Sequence, residues 1–285
     1  INATLGRDID LPISSLGQIT GGSGEYKLGG ESTETINIDL NGHKLNITTT
    51  YWSSLGAKNE NALFTIKNGT MTSSQPTGTW NSYDLSFSNC NYVFEDVTFN
   101  KAIALESAGK TFNLKNITIT ETHDYYAMWI AAKGQTVNIE GLTINSLGRG
   151  IKIDEQYLDD SEVAKVTLNI NDAKFTTAKK AAIIVKSVAG ADITLSNVDI
   201  ADVADDSSNE VWIDEDAANT INKVNVIGGS MIVEGQVTVA ITDMETLKEE
   251  LTKAGQAGAG YTVLEISSDI DMTGAEWTPI KVDGY

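Results

Sequence analysis

Cysteine is almost absent from this chain: Cys90 is the only one among 285 residues. That excludes an intrachain disulfide framework and any multi-cysteine metal site. Histidine is nearly as scarce. His43 and His123 alone leave little material for a His-based zinc site or a Ser-His-Asp triad. Bases are outnumbered, 20 Lys and Arg against 39 Asp and Glu, for a net charge of −19 and a pI of about 4.4. A field of that sign repels phosphate backbones and anionic lipid, which argues against nucleic-acid and membrane-surface partners. It also opposes polyanionic substrates such as pectate, short of a local basic groove, and it suits an extracellular, Ca²⁺-rich setting. No apolar run reaches membrane-spanning length, so no membrane insertion of this segment is expected. The first residue is Ile1 rather than Met, as expected of a removed leader or a trimmed piece.

What the chain does contain is strand and turn material. It has only three prolines but 25 glycines, with abundant Asn, Thr, Ile and Val. It also repeats itself. Phe112 to Thr120 reads FNLKNITIT, and Val137 to Asn145 reads VNIEGLTIN. Aligned on the turn residues Asn116 and Gly141, the two share apolar residues four and two before the turn and three after it. The same frame recurs at Gly42 (Ile38, Leu40, Leu45), Asn68 (Phe64, Ile66, Met71) and Asp96 (Tyr92, Phe94, Phe99). It recurs again at Asp172 (Leu168, Ile170, Phe175), Asn197 (Ile193, Leu195, Ile200) and Gly228 (Val224, Val226, Met231). Successive turn residues lie 26, 28, 20, 25, 31, 25 and 31 positions apart. Helical solenoids hold their period more tightly, whereas β-coils joined by loops of varying length need not.

The frame contains a change of phase. Before the turn the inward residues fall at even offsets, as the period-two geometry of a strand requires. After it they fall at odd offsets, as in Ile117 and Ile119 or Leu142 and Ile144. A one-residue slip sends side chains to the opposite face unless the intervening residue bends the backbone. Asn, Asp and Gly accept the left-handed backbone such a bend needs, and all eight turn positions use one of them. Each is therefore read as a corner. A third strand is visible at Ala127–Ile130, Gly150–Ile153, Ala181–Val185 and Val211–Ile213. Three short strands and three corners per repeat describe one rung of a parallel β-helix. About 8–10 rungs stacked 4.8 Å apart predict a rod of roughly 40–48 Å. A β-sandwich would instead require regularly spaced hairpin dipeptides, which are missing.

The sentences NIDLNGHKLNI (Asn37 to Ile47), FTIKNGTM (Phe64 to Met71), TFNLKNITI and TVNIEGLTI resemble rungs of the right-handed parallel β-helix proteins of the pectate-lyase-like superfamily. They are especially similar to secreted surface proteins of gut Bacteroidetes. The resemblance covers about residues 34–235. It implies an all-β, right-handed, single-stranded parallel β-helix for residues 1–236.

At the C-terminal side, Thr242-Asp-Met-Glu245 has a capping-box pattern, followed by Leu247, Leu251 and Ala254 at helical spacing and a stop at Gly255. A helix of about three turns is expected there, then a strand and a turn. LEISSDIDMTG (Leu264 to Gly274) parallels TLGRDIDLP (Thr4 to Pro12). The helix followed by DIDMTGAEWTPI resembles the module starts of large bacterial surface proteins. On that reading residues 237–285 form a capping helix and the start of a second β module. The alternative is a helix that simply caps the first rod. On either reading Ile1 is expected to begin mid-rung.

No catalytic signature stands out. In the lyases of the superfamily an Arg or Lys base acts beside carboxylate-bound Ca²⁺. Arg149, Lys152 and Asp154 in GRGIKID (Gly148 to Asp154) are the local match. This stretch also resembles the Arg-Ile-Lys motif of polygalacturonases, whose paired-Asp and Gly-His-Gly motifs are absent here. Strand alternation puts Ile151 and Ile153 inward and Lys152 with Asp154 outward. Asp205, Asp206, Asp214 and Asp216 lie in acid-rich loops that could supply oxygens to Ca²⁺, the one cofactor suggested, although the spacing matches no EF-hand. Tyr125, Tyr126 and Trp129, joined by Tyr157 and Trp212, are the aromatic candidates for stacking on sugar rings, a core role being the alternative for the tryptophans. These features together suggest a non-catalytic, secreted or cell-surface, adhesin-like module that presents a face to glycans or host surfaces. The alternatives are a polysaccharide lyase or glycoside hydrolase of the same fold, and a structural fibre component.

Overall fold

The computed structural model describes residues 1–12, 24–48, 53–74, 85–120, 126–145, 149–155, 158–176, 182–200, 211–213, 223–229, 233–234, 237–241, 243–254 and 262–266. Every pairing among their strands is parallel, and in the two large sheets adjacent strands come from successive repeats. The chain is a parallel β-solenoid. One sheet runs from Asn2–Thr4 through Thr35–Asp39, Leu63–Ser73, Asn91–Phe99, Thr111–Ile119, Thr136–Ile144, Val166–Phe175 and Ala191–Ile200 to Lys223–Gly229. Ile9–Pro12 and Lys44–Thr48 lie beside this path. The second sheet stacks Gly24–Leu28, Ser53–Ala57, Leu85–Phe87, Ile103–Leu105, Tyr126–Ala131, Arg149–Asp154, Ile183–Val185, Val211–Ile213 and Val233–Glu234.

The corners bend strands rather than end them. From the third level upward, the two segments flanking each turn residue form one continuous strand, such as Thr111–Ile119 around Asn116. Two strand segments per rung in the repeat are thus one bent strand, and the third forms the short-strand sheet. The ladder skips the turn residue: Lys115 pairs with Glu140 and Ile117 with Leu142, leaving Asn116 and Gly141 out. Asn68, Asp96, Asn116, Asp172 and Asn197 have φ between 52° and 61°, and Gly42 and Gly141 have φ of 80° and 77°. The left-handed residue turns the following side chain back to the inner face, so Leu114 and Ile117 are both buried. Gly228 lies at the corresponding place, the ladder passing from Ser196–Ile227 to Val198–Gly229.

The first corner differs from its expected frame. Ile36 and Ile38, not Ile38 and Leu40, stack on Phe64 and Ile66, while Leu45 stacks on Met71. This rung holds two extra residues at the turn, and Asn41 is left-handed as well, with φ of 51°. Leu40 folds into the corner, fully buried, its N–H donating to Lys67 O at 2.8 Å. Gly69 makes the room. A Cβ there would lie 2.5 Å from both the His43 carbonyl oxygen and the Leu40 Cβ.

Inside the rod, equivalent positions form columns. Phe64, Tyr92 and Phe112 stack with ring centroids 5.5 and 5.1 Å apart, contacts worth about 0.5–1.5 kcal/mol each beyond their burial. The Tyr92 hydroxyl donates to Ser88 O at 2.8 Å, so the column carries no unmet donor. Cys90 is buried beside it, and desolvation raises its thiol pKa above the usual value.

The C-terminal helix spans Met244–Ala254. Its N-cap is Asp243 rather than Thr242: the Asp243 Oδ1 accepts the Thr246 N–H at 2.8 Å. It connects Val237–Ile241 to Thr262–Ile266, which pair in parallel as a separate two-stranded sheet.

Candidate functional site

On the short-strand sheet the register sets Trp129 beside Lys152, and Lys152 beside Ile184. Alternation aims these side chains away from the main core, and Trp129 forms a separate small cluster with Ala104 and Ala131. The structure therefore brings together several residues singled out in the sequence. Lys152 forms an ion pair with Asp154, and its Nζ lies 5.7 Å from the centroid of the Tyr126 ring. All are nevertheless sealed: the Lys152 and Asp154 side chains are 9% and 11% exposed. Tyr126 and Trp129 are buried as well. Lys152 and Asp154 thus pair with each other largely out of contact with solvent. Arg149 opens its strand in register with Tyr126, and Trp212 lies in register with Ile184. Tyr125, Tyr157, Asp205, Asp206, Asp214 and Asp216 lie outside the described residues. Among the described residues no three His, Cys, Asp or Glu side chains converge as a metal-ligand set.

The outer face of the bent sheet carries a different constellation. Three and one positions before each corner, side chains alternate outward, and parallel in-register stacking lines them up. The first row reads Val93, Asn113, Asn138, Asn169 and Thr194. The Asn138 Nδ2 donates to Asn113 Oδ1, and the Asn169 Nδ2 to Asn138 Oδ1, both at 2.9 Å. The second row reads Glu95, Lys115, Glu140, Asn171 and Ser196. Lys115 Nζ lies 3.8 Å from Glu95 Oε1. The two rows line a groove of about 470 Å³. It crosses five strands, or about 19 Å at the spacing of a parallel sheet.

The groove combines directional amides with a weak charge. Asn138 uses one hydrogen and one acceptor site on its neighbours, Asn113 only an acceptor site and Asn169 only a hydrogen, leaving further sites for a ligand. Glu95 and Lys115 offset one another, so Glu140 supplies the remaining negative charge. The repeat frame contains the signal for this site: Asn113, Asn138 and Asn169 all occupy the position three before the corner, an outward position that the frame of inward apolar residues leaves undefined.

A second set of polar contacts braces the early rungs. Asp39 Oδ1 accepts from Asn68 Nδ2 at 3.0 Å and from the Asn41 N–H at 2.9 Å. The Asn68 amide, followed by the Asn41 N–H, holds the Asp39 carboxyl below the usual carboxylate range. Asp8 is lowered likewise, chiefly by the Lys44 N–H, which it accepts at 2.9 Å. These carboxylates join one rung to the next and serve the fold. Comparison with known proteins returns no match to a family, to a curated protein or to a solved structure.

Proposed function

We propose that this chain is a non-catalytic, secreted or cell-surface β-helix module, adhesin-like and of the pectate-lyase-like type, that binds glycans. The observation carrying the proposal is the polar groove on the bent sheet, with its three hydrogen-bonded asparagines and nearly balanced charge. Sugar hydroxyls need both donors and acceptors, and an amide supplies both in a fixed plane. The rungs repeat at about the length of a pyranose unit, so a linear glycan lying along the rod meets the Asn113, Asn138 and Asn169 amides at successive steps. An extended peptide advances about 3.3 Å per residue and would lose register within a rung or two. The net charge of −19 and the acid at Glu140 disfavour uronate polymers.

The sealed Lys152–Asp154 pair weighs against the lyase alternative. The test is binding of the full chain to a panel of neutral, amino and acidic oligosaccharides, measured by calorimetry, alongside a reducing-sugar and unsaturated-product assay with and without Ca²⁺. Binding without turnover, weakened about tenfold by Asn138→Ala through loss of one or two hydrogen bonds, is the expected result. Turnover abolished by Lys152→Ala would replace the proposal with the enzymatic alternative.

A further inference from the structure

The amide ladder on the bent sheet has a direction, and it stops at a particular place. Asn169 donates to Asn138 and Asn138 to Asn113, so each side-chain N–H points toward the preceding rung. The same sense holds for Asn37, whose Nδ2 donates to Asn2 Oδ1 at 2.7 Å. In that sense the next acceptor below Asn113 should come from residue 93, because Val93 pairs with Asn113 in the ladder of strands. Valine offers none. The exposed Asn113 Nδ2 therefore donates to no described residue, and it does so directly above a half-buried apolar side chain. Thr65 sits on the other side of Val93, and Glu95 lies two positions along the same strand. The groove thus ends in a niche with an apolar floor, one amide donor and an acidic flank.

Resting on the glycan-binding reading above, we infer that this niche recognises the acetamido group of an N-acetylhexosamine, so that the groove selects N-acetylated over plain neutral glycans. An acetamido group has the same planar amide as an asparagine side chain. Its carbonyl accepts from Asn113 Nδ2 and continues the ladder by one member. Its methyl group covers Val93, taking apolar surface of both partners from water. The sugar ring then lies over the Glu95–Lys115 pair, and the rest of the chain follows the Asn138 and Asn169 amides. A glucose unit in the same place offers a hydroxyl too short to reach the donor and cover the valine together. One amide hydrogen bond and one buried methyl correspond to a preference of about tenfold.

The experiment compares β-1,4-linked tetramers of N-acetylglucosamine and of glucose, both uncharged, by calorimetry on the full chain. The variants are Val93→Asn, which completes the amide row with a protein side chain, and Val93→Thr, which keeps the β-branch and controls for folding. Circular dichroism reports whether each variant keeps the rod. The expected result is about tenfold tighter binding of the acetylated tetramer by the parent chain. In Val93→Asn that preference falls to within about twofold. Equal binding of both tetramers by the parent, or a preference that survives Val93→Asn, overturns the acetamido assignment and leaves the glycan reading standing. No binding of either tetramer or of any panel glycan overturns both.

Discussion

Replacing Asn116 by alanine and by glycine isolates the contribution of a left-handed corner. Both substitutions remove the hydrogen bond from Asn116 Nδ2 to Asp96 Oδ1, 2.9 Å long and exposed, a loss of about 0.5–1 kcal/mol. They differ in backbone. Asn116 has φ of 52°, a conformation that costs an ordinary L-residue about 1–2 kcal/mol and costs glycine almost nothing. Asn116→Ala should therefore destabilise the rod by about 2 kcal/mol. Asn116→Gly should be about 1 kcal/mol milder, once the greater freedom of glycine in the unfolded chain is allowed for. In urea unfolding followed by circular dichroism, with a slope of about 2 kcal/mol/M, the two midpoints should separate by about 0.5 M. Gly141→Ala tests the adjacent corner, where φ is 77° and a new Cβ would lie 3.0 Å from Asn116 Oδ1. Coincident midpoints for the alanine and glycine variants of Asn116 would refute the idea that corner conformation governs the winding.

Two further outcomes follow from the polar contacts. Lys152→Ala leaves Asp154 in a sealed site without its cation and should lower stability by about 3 kcal/mol. The double change Lys152→Met with Asp154→Leu should recover most of that in the same urea assay, and glycan binding by the folded variants should not change. For Asp8 and Asp39 the folded pKa lies below the ordinary value, so their stabilisation is complete above the unfolded pKa of about 3.9 and is lost as pH falls through it toward the folded value. The parent chain should lose stability on their account only below about pH 4. Asp8→Asn and Asp39→Asn should flatten that acid limb, and an unaltered limb in both variants would contradict the assignment.

The winding was legible because its cause is local. A single Asn, Asp or Gly between two alternating apolar segments carries the whole bend, and seven of the eight proposed corner residues, Gly42, Asn68, Asp96, Asn116, Gly141, Asp172 and Asn197, have the positive φ that the frame requires. Helix Met244–Ala254 was legible for a similar reason, although which of two neighbouring residues capped it was not. The first corner misled because Ile38 and Leu40 satisfy the apolar frame as well as Ile36 and Ile38 do. Only stacking on Phe64 and Ile66 distinguishes the two alignments.

Beyond the first corner, the order of residues was enough to say which of them face inward and where the chain turns, since alternation and left-handed tolerance belong to a residue and its immediate neighbours. Tertiary structure alone decided what the outward residues do. Lys152, Asp154 and Trp129 follow the same alternation as Asn113 and Asn138, yet the first group is sealed and the second lines an open groove. Asn113, Asn138 and Asn169 lie 25 and 31 positions from one another along the chain, and their amides become a single ladder because parallel pairing brings successive rungs to within one hydrogen bond.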